Sequence, residues 1–268
     1  MGQSAAPKLL IDGTDCAMMR AMRSAFLIFA ILLAPLNRAT AQDGVPFVDH
    51  FRRIDATRWR LSDGWSNGAW TANDWRALQV SSGANGASIL LSARPDRQQP
   101  FSSGELQTHA TYQRGYFEAR LQAASGSGLV TGFFTFTRES DAPSTWDEID
   151  VEILGRDTRS VQLSYYRSGA KRFVVLPLGF DAAAGVHTYA FDWQARYIRW
   201  YIDGVMRHQE SGDGLPLPLR AQRLYINLWN SSTLTDWVGP IVGRGPWRTR
   251  VECVAQAESA PARPLCAR

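Results

Sequence analysis

The amino-acid sequence predicts an all-β protein, a single sandwich or barrel built from short strands. Hydrophobic and polar residues alternate along several short segments, as they do in strands that bury one face. Asp203-Gly204 separates two of these segments, and this dipeptide is typical of a β-hairpin. No stretch beyond residue 41 shows a long apolar repeat of 3.6 residues, so we do not expect helices to form the core.

The predicted strands follow one another along most of the chain. In order, they lie within residues 116–121, 129–137, 146–155, 161–166, 187–193, 197–202, 205–208, 224–229 and 248–255. Gly, Asp, Asn and Ser separate them, and no internal repeat or Pro-rich linker divides the chain. Because a chain of 268 residues can form one all-β domain, we expect a single domain over residues 42–256.

Residues 1–41 are typical of a secretory signal peptide. The apolar run Ala25–Ala34 follows two arginines, and residues 39–41 (ATA) fit a cleavage site. A run this short does not span a membrane, so we expect no stable membrane insertion after cleavage and a secreted or periplasmic protein. Met19 or Met22 would be a more conventional start, which suggests an over-long gene start. The alternatives are an uncleaved anchor and a buried N-terminal helix.

Charge and cysteine content narrow the classes of partner and cofactor. The basic residues are scattered and the net charge is only +4, so we expect no nucleic-acid partner. Cys253 and Cys266 would remain after cleavage, and an even number in an oxidising compartment predicts a disulfide that staples the tail, residues 257–268. Two unpaired thiols are the alternative. No His/Cys cluster has metal-ligand spacing, so we expect no catalytic metal or other catalytic cofactor.

One predicted strand carries three carboxylates on the same face. Residues 146–155 read WDEIDVEILG, and in an extended chain Glu148, Asp150 and Glu152 point one way while the alternate apolar residues point to the core. Like charges in a row raise the pKa of each carboxyl. Such a row suits glycoside hydrolysis, which needs one ionised and one protonated carboxyl beside the sugar bond. A solvated acidic strand face is the alternative.

The sequence around this strand resembles the family 16 glycoside hydrolases, especially the bacterial lichenases (endo-1,3-1,4-β-glucanases). The core of the resemblance is STWDEIDVEILGRDTRSVQLSYY at 144–166, and it extends to SDGWSNG (62–68), GYFEARLQAASGSGLVTGFFTFT (115–137) and YINLWN (225–230). It covers essentially residues 47–255. Related bacterial enzymes that trim exopolysaccharides, of the succinoglycan-depolymerase type, look at least as similar as the enzymes that degrade cereal glucans.

The resemblance implies a β-jelly roll, in which two curved antiparallel sheets carry a sugar-binding cleft on the concave face. It implies that Glu148 is the nucleophile and that Glu152 is the general acid/base. Asp150 would lie between them and help to keep Glu152 protonated. Such a pair cleaves the glycosidic bond with retention of the anomeric configuration.

The resemblance also implies a set of sugar-binding residues. Aromatic rings would stack on the apolar faces of pyranose rings, while amide and carboxyl groups would bond the hydroxyls. A core aromatic is the alternative for any single Trp. The implied substrate-binding residues are Trp146, Asn227, Trp229, Trp237, Glu105, Asn67, Trp65, Phe134 and Tyr166.

Several positions depart from the lichenase pattern. Gln107 stands where lichenases usually have Arg, Phe136 replaces a Tyr, and Ser164 replaces an Asn. The lichenase disulfide is also missing. These changes alter hydroxyl recognition and put strict specificity for cereal β-glucan in doubt. The family binds a structural calcium ion mainly through backbone oxygens and one Asp, for which Glu252 is the nearest match here.

These observations predict a secreted, retaining endo-β-glucanase. Its partner would be a chain of 1,3-1,4-linked β-glucan or a similar bacterial exopolysaccharide, cleaved at internal bonds. We expect a monomer, because a polymer substrate needs an open cleft. One alternative is a transglycosylase that uses the same carboxylates, and another is a glucan-binding lectin without catalysis.

Overall fold

The computed structural model describes residues 44–94, 99–137 and 143–267. The predicted signal peptide, residues 1–41, lies outside the described residues. The strands are β1 (Phe47–Asp49), β2 (Trp59–Leu61), β3 (Asn73–Trp75), β4 (Val80–Gly83), β5 (Gly86–Ala93), β6 (Phe101–Ser103), β7 (Glu105–Thr108), β8 (Gly115–Gln122), β9 (Leu129–Phe136), β10 (Glu148–Leu154), β11 (Ser160–Arg167), β12 (Ala170–Pro177), β13 (His187–Trp193), β14 (Ile198–Ile202), β15 (Val205–Glu210), β16 (Arg223–Asn230) and β17 (Trp247–Ala257). Two short 3₁₀ turns (Ala77–Gln79 and Pro143–Thr145) and one α-helical turn, α1 (Thr235–Val238), complete the described elements.

The strands form two sheets that pack face to face. A ten-stranded sheet has the order β15-β14-β13-β8-β17-β5-β6-β3, with β1 beside β17 and β4 beside β5. A seven-stranded sheet has the order β12-β11-β10-β9-β16-β7-β2. Apart from the parallel pair β3–β6, the strand pairs are antiparallel. The predicted jelly-roll sandwich of two antiparallel sheets is confirmed.

The core lies between the two sheets. Phe133 of the seven-stranded sheet contacts Phe191 of the ten-stranded sheet, with ring centroids 5.6 Å apart, and Phe117 stacks on Phe191 at 5.0 Å. Ile149 and Val151 of β10 are buried in the same cluster. The alternate residues of β10 therefore face away from the core, as the sequence pattern predicts.

The strand predictions hold best where one face is buried and the strand is long. Strand β13 has the predicted bounds, and the predicted hairpin joins β14 to β15. Its turn residues Asp203 and Gly204 both have positive φ, 49° and 76°, as a type I′ turn requires. Most strands before residue 115 have only three or four residues, too few to show alternation.

The C-terminal strand is central to the ten-stranded sheet, and the tail after it is tied back. Cys253 in β17 and Cys266 in the tail form the predicted disulfide, with Cα atoms 5.7 Å apart. The backbone N–H groups of Leu265 and Cys266 donate to the buried carboxylate of Glu118, at 3.1 and 2.6 Å. The tail is therefore held by both covalent and polar contacts. Among the described residues, no helix is long and apolar enough to cross a membrane.

Candidate active site

A cleft of about 1090 Å³ crosses the seven-stranded sheet on the face opposite the core. Its floor consists of side chains from β7, β16, β9, β10, β11 and β12, in that spatial order. The strand register sorts the residues on this face of the sheet into rows, because cross-strand partners share a face. Some members of a row line the cleft and others do not. We call three of these rows the Glu152 row, the Asp150 row and the Glu148 row. The Glu152 row holds Glu105, Asn227, Gly132, Glu152, Gln162 and Val175. The Asp150 row holds Gln107, Tyr225, Phe134, Asp150, Ser164 and Phe173. The Glu148 row holds Arg223, Phe136, Glu148, Tyr166 and Lys171.

Glu148 lies under an aromatic pair at one side of the cleft. The indole Nε1 of Trp146 donates a hydrogen bond to Glu148 Oε2 at 2.5 Å. Trp146 stacks on Tyr166, with ring centroids 4.7 Å apart and planes at 13°. Burial raises the pKa of Glu148 to about 7 against the opposing hydrogen bonds from Trp146 and Asp150, and the charge of Glu152 adds to the increase.

Asp150 is the most deeply buried of the three carboxyls on the cleft face of β10. It is 3% exposed, accepts a hydrogen bond from Ser164 Oγ at 2.7 Å and shares a hydrogen bond with Glu148. Burial raises its pKa well above the ordinary value, and the charge of Glu148 raises it further. The indole Nε1 of buried Trp200, from the other sheet, donates to the backbone oxygen of Asp150 at 3.1 Å. The core thus anchors the middle of the acidic strand.

Glu152 receives its hydrogen bond from a side chain that is itself fixed. Gln162 Nε2 donates to Glu152 Oε2 at 2.8 Å, and Trp237 Nε1 donates to Gln162 Oε1 at 3.1 Å. Burial raises the pKa of Glu152 to about 8, and the charge of Asp150 raises it further. Gly132 lies opposite Glu152, where a Cβ atom would come within 2.7 Å of Asn227 Oδ1. The absence of a side chain there leaves room beside Glu152.

Asp147, the residue just before β10, fixes the start of that strand. Its carboxylate is fully buried and accepts hydrogen bonds from the backbone N–H groups of Leu219, Ser168 and Arg220, at 2.8, 3.0 and 3.1 Å. Arg167 and Arg220 form salt bridges with it. Although burial would raise the pKa of Asp147, these backbone hydrogen bonds and the charge of Arg167 lower it below its ordinary value. Asp147 therefore stays ionised beside three carboxyls whose pKa values are raised.

Tryptophans form one wall of the cleft. Trp229 contacts Trp70 edge-on, with ring centroids 5.3 Å apart, and contacts Trp237 at 5.8 Å. Trp65 lies against Trp75 at 6.1 Å, and Trp75 Nε1 donates to Asn67 Oδ1 at 3.0 Å. Tryptophan rings packed against one another along a cleft offer flat apolar surface at a fixed spacing.

A polar network lies at the β7 end of the floor. The carboxylate of Glu105 accepts hydrogen bonds from Ser62 Oγ at 2.6 Å and from Asn227 Nδ2 at 3.0 Å. Gln107 Nε2 donates to the same Ser62 hydroxyl at 2.9 Å. Gln107, one of the departures from the lichenase pattern, is therefore linked to Glu105 through Ser62 and does not itself line the cleft.

The structure brings every residue that the sequence predicted for the site to this one cleft. Trp65 and Trp237, for which a core position was the alternative, both line it and are half-buried. The predicted residues that line it are Glu148, Asp150, Glu152, Trp146, Asn227, Trp229, Trp237, Glu105, Asn67, Trp65, Phe134 and Tyr166.

Sequence reasoning missed Trp70, Tyr225 and Lys171, which also line the cleft. Tyr225 could have been found, since it alternates with Asn227 and Trp229 along β16 and so shares their face. Trp70 lies in a loop and Lys171 on an exposed edge strand, where no hydrophobic pattern indicates a face.

Glu252, the nearest match to the family's calcium ligand, is paired with cations in this structure. Its carboxylate forms salt bridges with Arg120 and Arg250, both at 3.0 Å. No group of three or more His, Cys, Asp or Glu side chains suited to a metal ion occurs within 44–94, 99–137 or 143–267. Calcium binding through backbone oxygens stays a prediction.

Residues 66–244 match the model of the glycosyl hydrolases family 16. The chain is 39% identical over 220 residues to a β-glucanase of Bacillus subtilis, covering 82% of this chain and 89% of the relative. It is 36% identical over 212 residues to the endo-1,3-1,4-β-glycanase ExoK of Rhizobium meliloti, covering 78% and 77% of the two chains. The solved structure of a Bacillus licheniformis β-glucanase has a TM-score of 0.74 and 36% identity, covering 80% of this chain and 99% of that chain. On its sequence, its fold and the carboxylates in its cleft, this chain belongs to glycosyl hydrolase family 16 and is a glycosidase.

Proposed function

We propose that this protein is a secreted or periplasmic endo-β-glucanase that cleaves internal β-glucosidic bonds with retention of configuration. The observation that carries the proposal is the placement of Glu148, Asp150 and Glu152 side by side on the cleft face of β10, where burial raises the pKa of all three carboxyls. Raised pKa values allow one carboxyl to keep its proton near neutral pH while a neighbouring carboxyl is ionised. A retaining glycosidase needs this distribution of charge.

In the first step, a carboxylate oxygen of Glu148 attacks the anomeric carbon and forms a glycosyl ester. The bond from that carbon to the leaving sugar breaks as Glu152 transfers its proton to the departing oxygen. In the second step, Glu152, now ionised, takes a proton from water. The water oxygen attacks the same carbon and releases Glu148 as a carboxylate. Two inversions at one carbon give net retention.

The substrate class is supported by the relatives and by the form of the site. The relatives described above are named β-glucanases and an endo-1,3-1,4-β-glycanase. The cleft runs across six strands, so a polymer can lie along it and be cut at internal bonds. We therefore propose 1,3-1,4-linked β-glucan, or a bacterial exopolysaccharide with similar bonds, as the substrate of a monomeric enzyme.

The test is to incubate residues 42–268 with mixed-linkage β-glucan and follow polymer length, reducing ends and product anomers. We expect a rapid fall in length, short oligosaccharides and β-configured products before mutarotation. Glu148→Gln and Glu152→Gln should each lose at least about a hundredfold in activity, whereas Glu258→Gln, an exposed control outside the cleft, should not.

Different products would indicate a different reaction. Products longer than the starting chain would show that a sugar hydroxyl replaces water, as in a transglycosylase. Binding of β-glucan and of exopolysaccharides by the folded protein without any cleavage would contradict the proposal and favour a lectin.

A further inference from the structure

The cleft contains one of the two lysines of a chain whose other basic residues are arginines. The sequence has lysines only at positions 8 and 171, so Lys171 is the sole lysine of the described residues. It lies on the edge strand β12, in the Glu148 row beside Tyr166, and its side chain is exposed. Its charge therefore lies in the cleft itself and in contact with solvent.

Three aromatic rings hold the ammonium group in place. Nζ lies 5.0 Å from the ring centroid of Tyr166, 5.5 Å from that of Trp237 and 5.6 Å from that of Phe173. The rings come from three different elements, β11, α1 and β12. Cation–π contacts attract the charge without neutralising it.

Lys171 makes no direct ion pair with a described side chain, although its charge reaches the three carboxyls of β10. It forms no salt bridge with any side chain in the described ranges. Its neighbour Arg172, on the opposite face of β12, pairs with Glu210 at 3.0 Å. On one face of β12, Arg172 is therefore paired with an acidic side chain. On the other face, Lys171 forms no such pair and lies at the end of the cleft.

The surface beside Lys171 is apolar and open. Phe173 and Val175 lie on the same face of β12 and are 60% and 53% exposed. Phe173 is the last residue of the Asp150 row and Val175 the last of the Glu152 row, so both lie just beyond the end of the cleft. A group that projects from a bound chain at this end would meet an aromatic surface and an unpaired ammonium.

We propose that Lys171 binds an anionic substituent of the polysaccharide at the β12 end of the cleft, against Phe173. The inference rests on the proposed function and narrows its substrate class to a chain that carries acidic groups. An ammonium is a point charge with three donors, which suits a carboxylate or a sulfate that approaches from solvent.

Lys171 also acts on the carboxyls of β10, and this effect must be distinguished from the binding of an anionic substituent. Its charge also lowers the pKa values of Glu148, Asp150 and Glu152 against the larger effect of burial. Loss of the charge would therefore alter activity on every substrate. The ratio of activities on an acidic and a neutral polymer, measured at one pH, cancels that common effect.

The experiment compares neutral mixed-linkage β-glucan with the same glucan lightly carboxymethylated, and with a lightly sulfated form. The measured quantity is kcat/KM on each acidic polymer divided by kcat/KM on the neutral one. We expect Lys171→Gln to lower this ratio about threefold to fivefold, mainly through KM, which is the range for an exposed ion pair. Lys171→Arg should retain most of the ratio. Arg52→Gln, which removes an exposed charge away from the cleft, should leave it unchanged. Sodium chloride at about 0.5 M should abolish the difference between wild type and Lys171→Gln.

Each outcome bears on the proposal. A lower ratio on both acidic polymers supports a general anion subsite, and a lower ratio on the carboxymethyl polymer alone assigns a carboxylate. Equal changes of kcat/KM on acidic and neutral polymers would overturn the inference and leave Lys171 with its effect on the carboxyls only.

A binding measurement keeps the inference separate from the proposed function. In the Glu148→Gln background, retardation in gels that contain each polymer reports affinity without cleavage. Retardation by the acidic polymers should weaken with Lys171→Gln even if the wild type cleaves none of them. Unchanged retardation would overturn the proposed anion subsite at Lys171. Absence of cleavage by the wild type would overturn only the proposed endo-β-glucanase activity.

Discussion

Gln162 donates a hydrogen bond from Nε2 to Oε2 of Glu152, 2.8 Å away, and its orientation is set by a third residue. An amide side chain could present either its oxygen or its nitrogen to a carboxyl. Trp237 removes this freedom, because its indole N–H can only donate and therefore requires Oε1 of Gln162 as its partner. A tryptophan of the cleft wall thus determines that Glu152 faces a donor.

Replacing Gln162 with Leu should move the alkaline limb of the pH profile upward. A donor stabilises the ionised carboxylate, so its loss raises the pKa of Glu152 above its present value of about 8. Because Glu152 must be protonated to act as the acid, activity should persist to higher pH. The measurement is normalised kcat/KM from pH 5 to 10. Trp237→Phe should shift the limb in the same direction, while Trp70→Phe should change KM without moving the limb; a limb unmoved by Gln162→Leu would contradict the prediction.

Replacing Asp150 with Asn should move the alkaline limb of the pH profile to lower pH. After burial, the charge of Asp150 is the next cause that raises the pKa of Glu152. Asn at this position removes the charge but can still accept from Ser164 Oγ. The pKa of Glu152 should fall, and activity should be lost at lower pH than in the wild type. An upward shift of the alkaline limb, with an unchanged thermal unfolding curve, would show that Asp150 does not act through its charge.

Replacing Asp147 with Asn should destabilise the fold at neutral pH by about 2–4 kcal/mol. The lowered pKa of Asp147 means that its ionised form stabilises the native state. This contribution is present above the ordinary pKa of a carboxyl and is lost as the pH falls through the lowered value in the folded protein.

Urea unfolding at a series of pH values tests this prediction. The difference between wild type and Asp147→Asn should be constant above the ordinary pKa of an aspartate and should shrink as the pH falls below it. Asp157→Asn is the matched control, because its exposed carboxylate also accepts local hydrogen bonds, and it should cost less than about 1 kcal/mol. A pH-independent difference would show that the cause is packing rather than charge.

The sequence predicted the chemistry of single strands better than their assembly. Alternation along β10 was enough to separate the carboxyl face from the apolar face, because side-chain direction in a strand is a local property. The contact of Trp237 with Gln162 joins residues 75 positions apart. It follows from the order of strands in the sheet and from the position of α1, which no local pattern encodes.

Strand β12 illustrates the same limit. Val174 and Leu176 pack against the core, but Phe173 and Val175 between and before them are also apolar, so the sequence shows no alternation of apolar and polar residues to detect. Only the register with β11 places Lys171 and Phe173 in the cleft rows. Composition offered one hint, since only two lysines occur among 29 basic residues, but it did not indicate a location.

Removing the disulfide should cost stability without affecting activity. Cys253 and Cys266 are 13 residues apart, and closing a loop of this size is worth about 3 kcal/mol through the unfolded state. The double variant Cys253→Ala/Cys266→Ala should therefore unfold at lower urea concentration, with a loss of about 2–3 kcal/mol.

Activity well below the unfolding transition should stay at the wild-type level, because neither cysteine lines the cleft. Glu118 supplies a matched comparison, since Glu118→Gln weakens the polar attachment of the same tail and leaves the disulfide intact. If the tail acts only as a staple, both variants lose stability and neither loses kcat/KM. A fall in kcat/KM shared by both variants at temperatures where they remain folded would instead mean that the tail, through β17 and β8, supports the geometry of the opposite sheet.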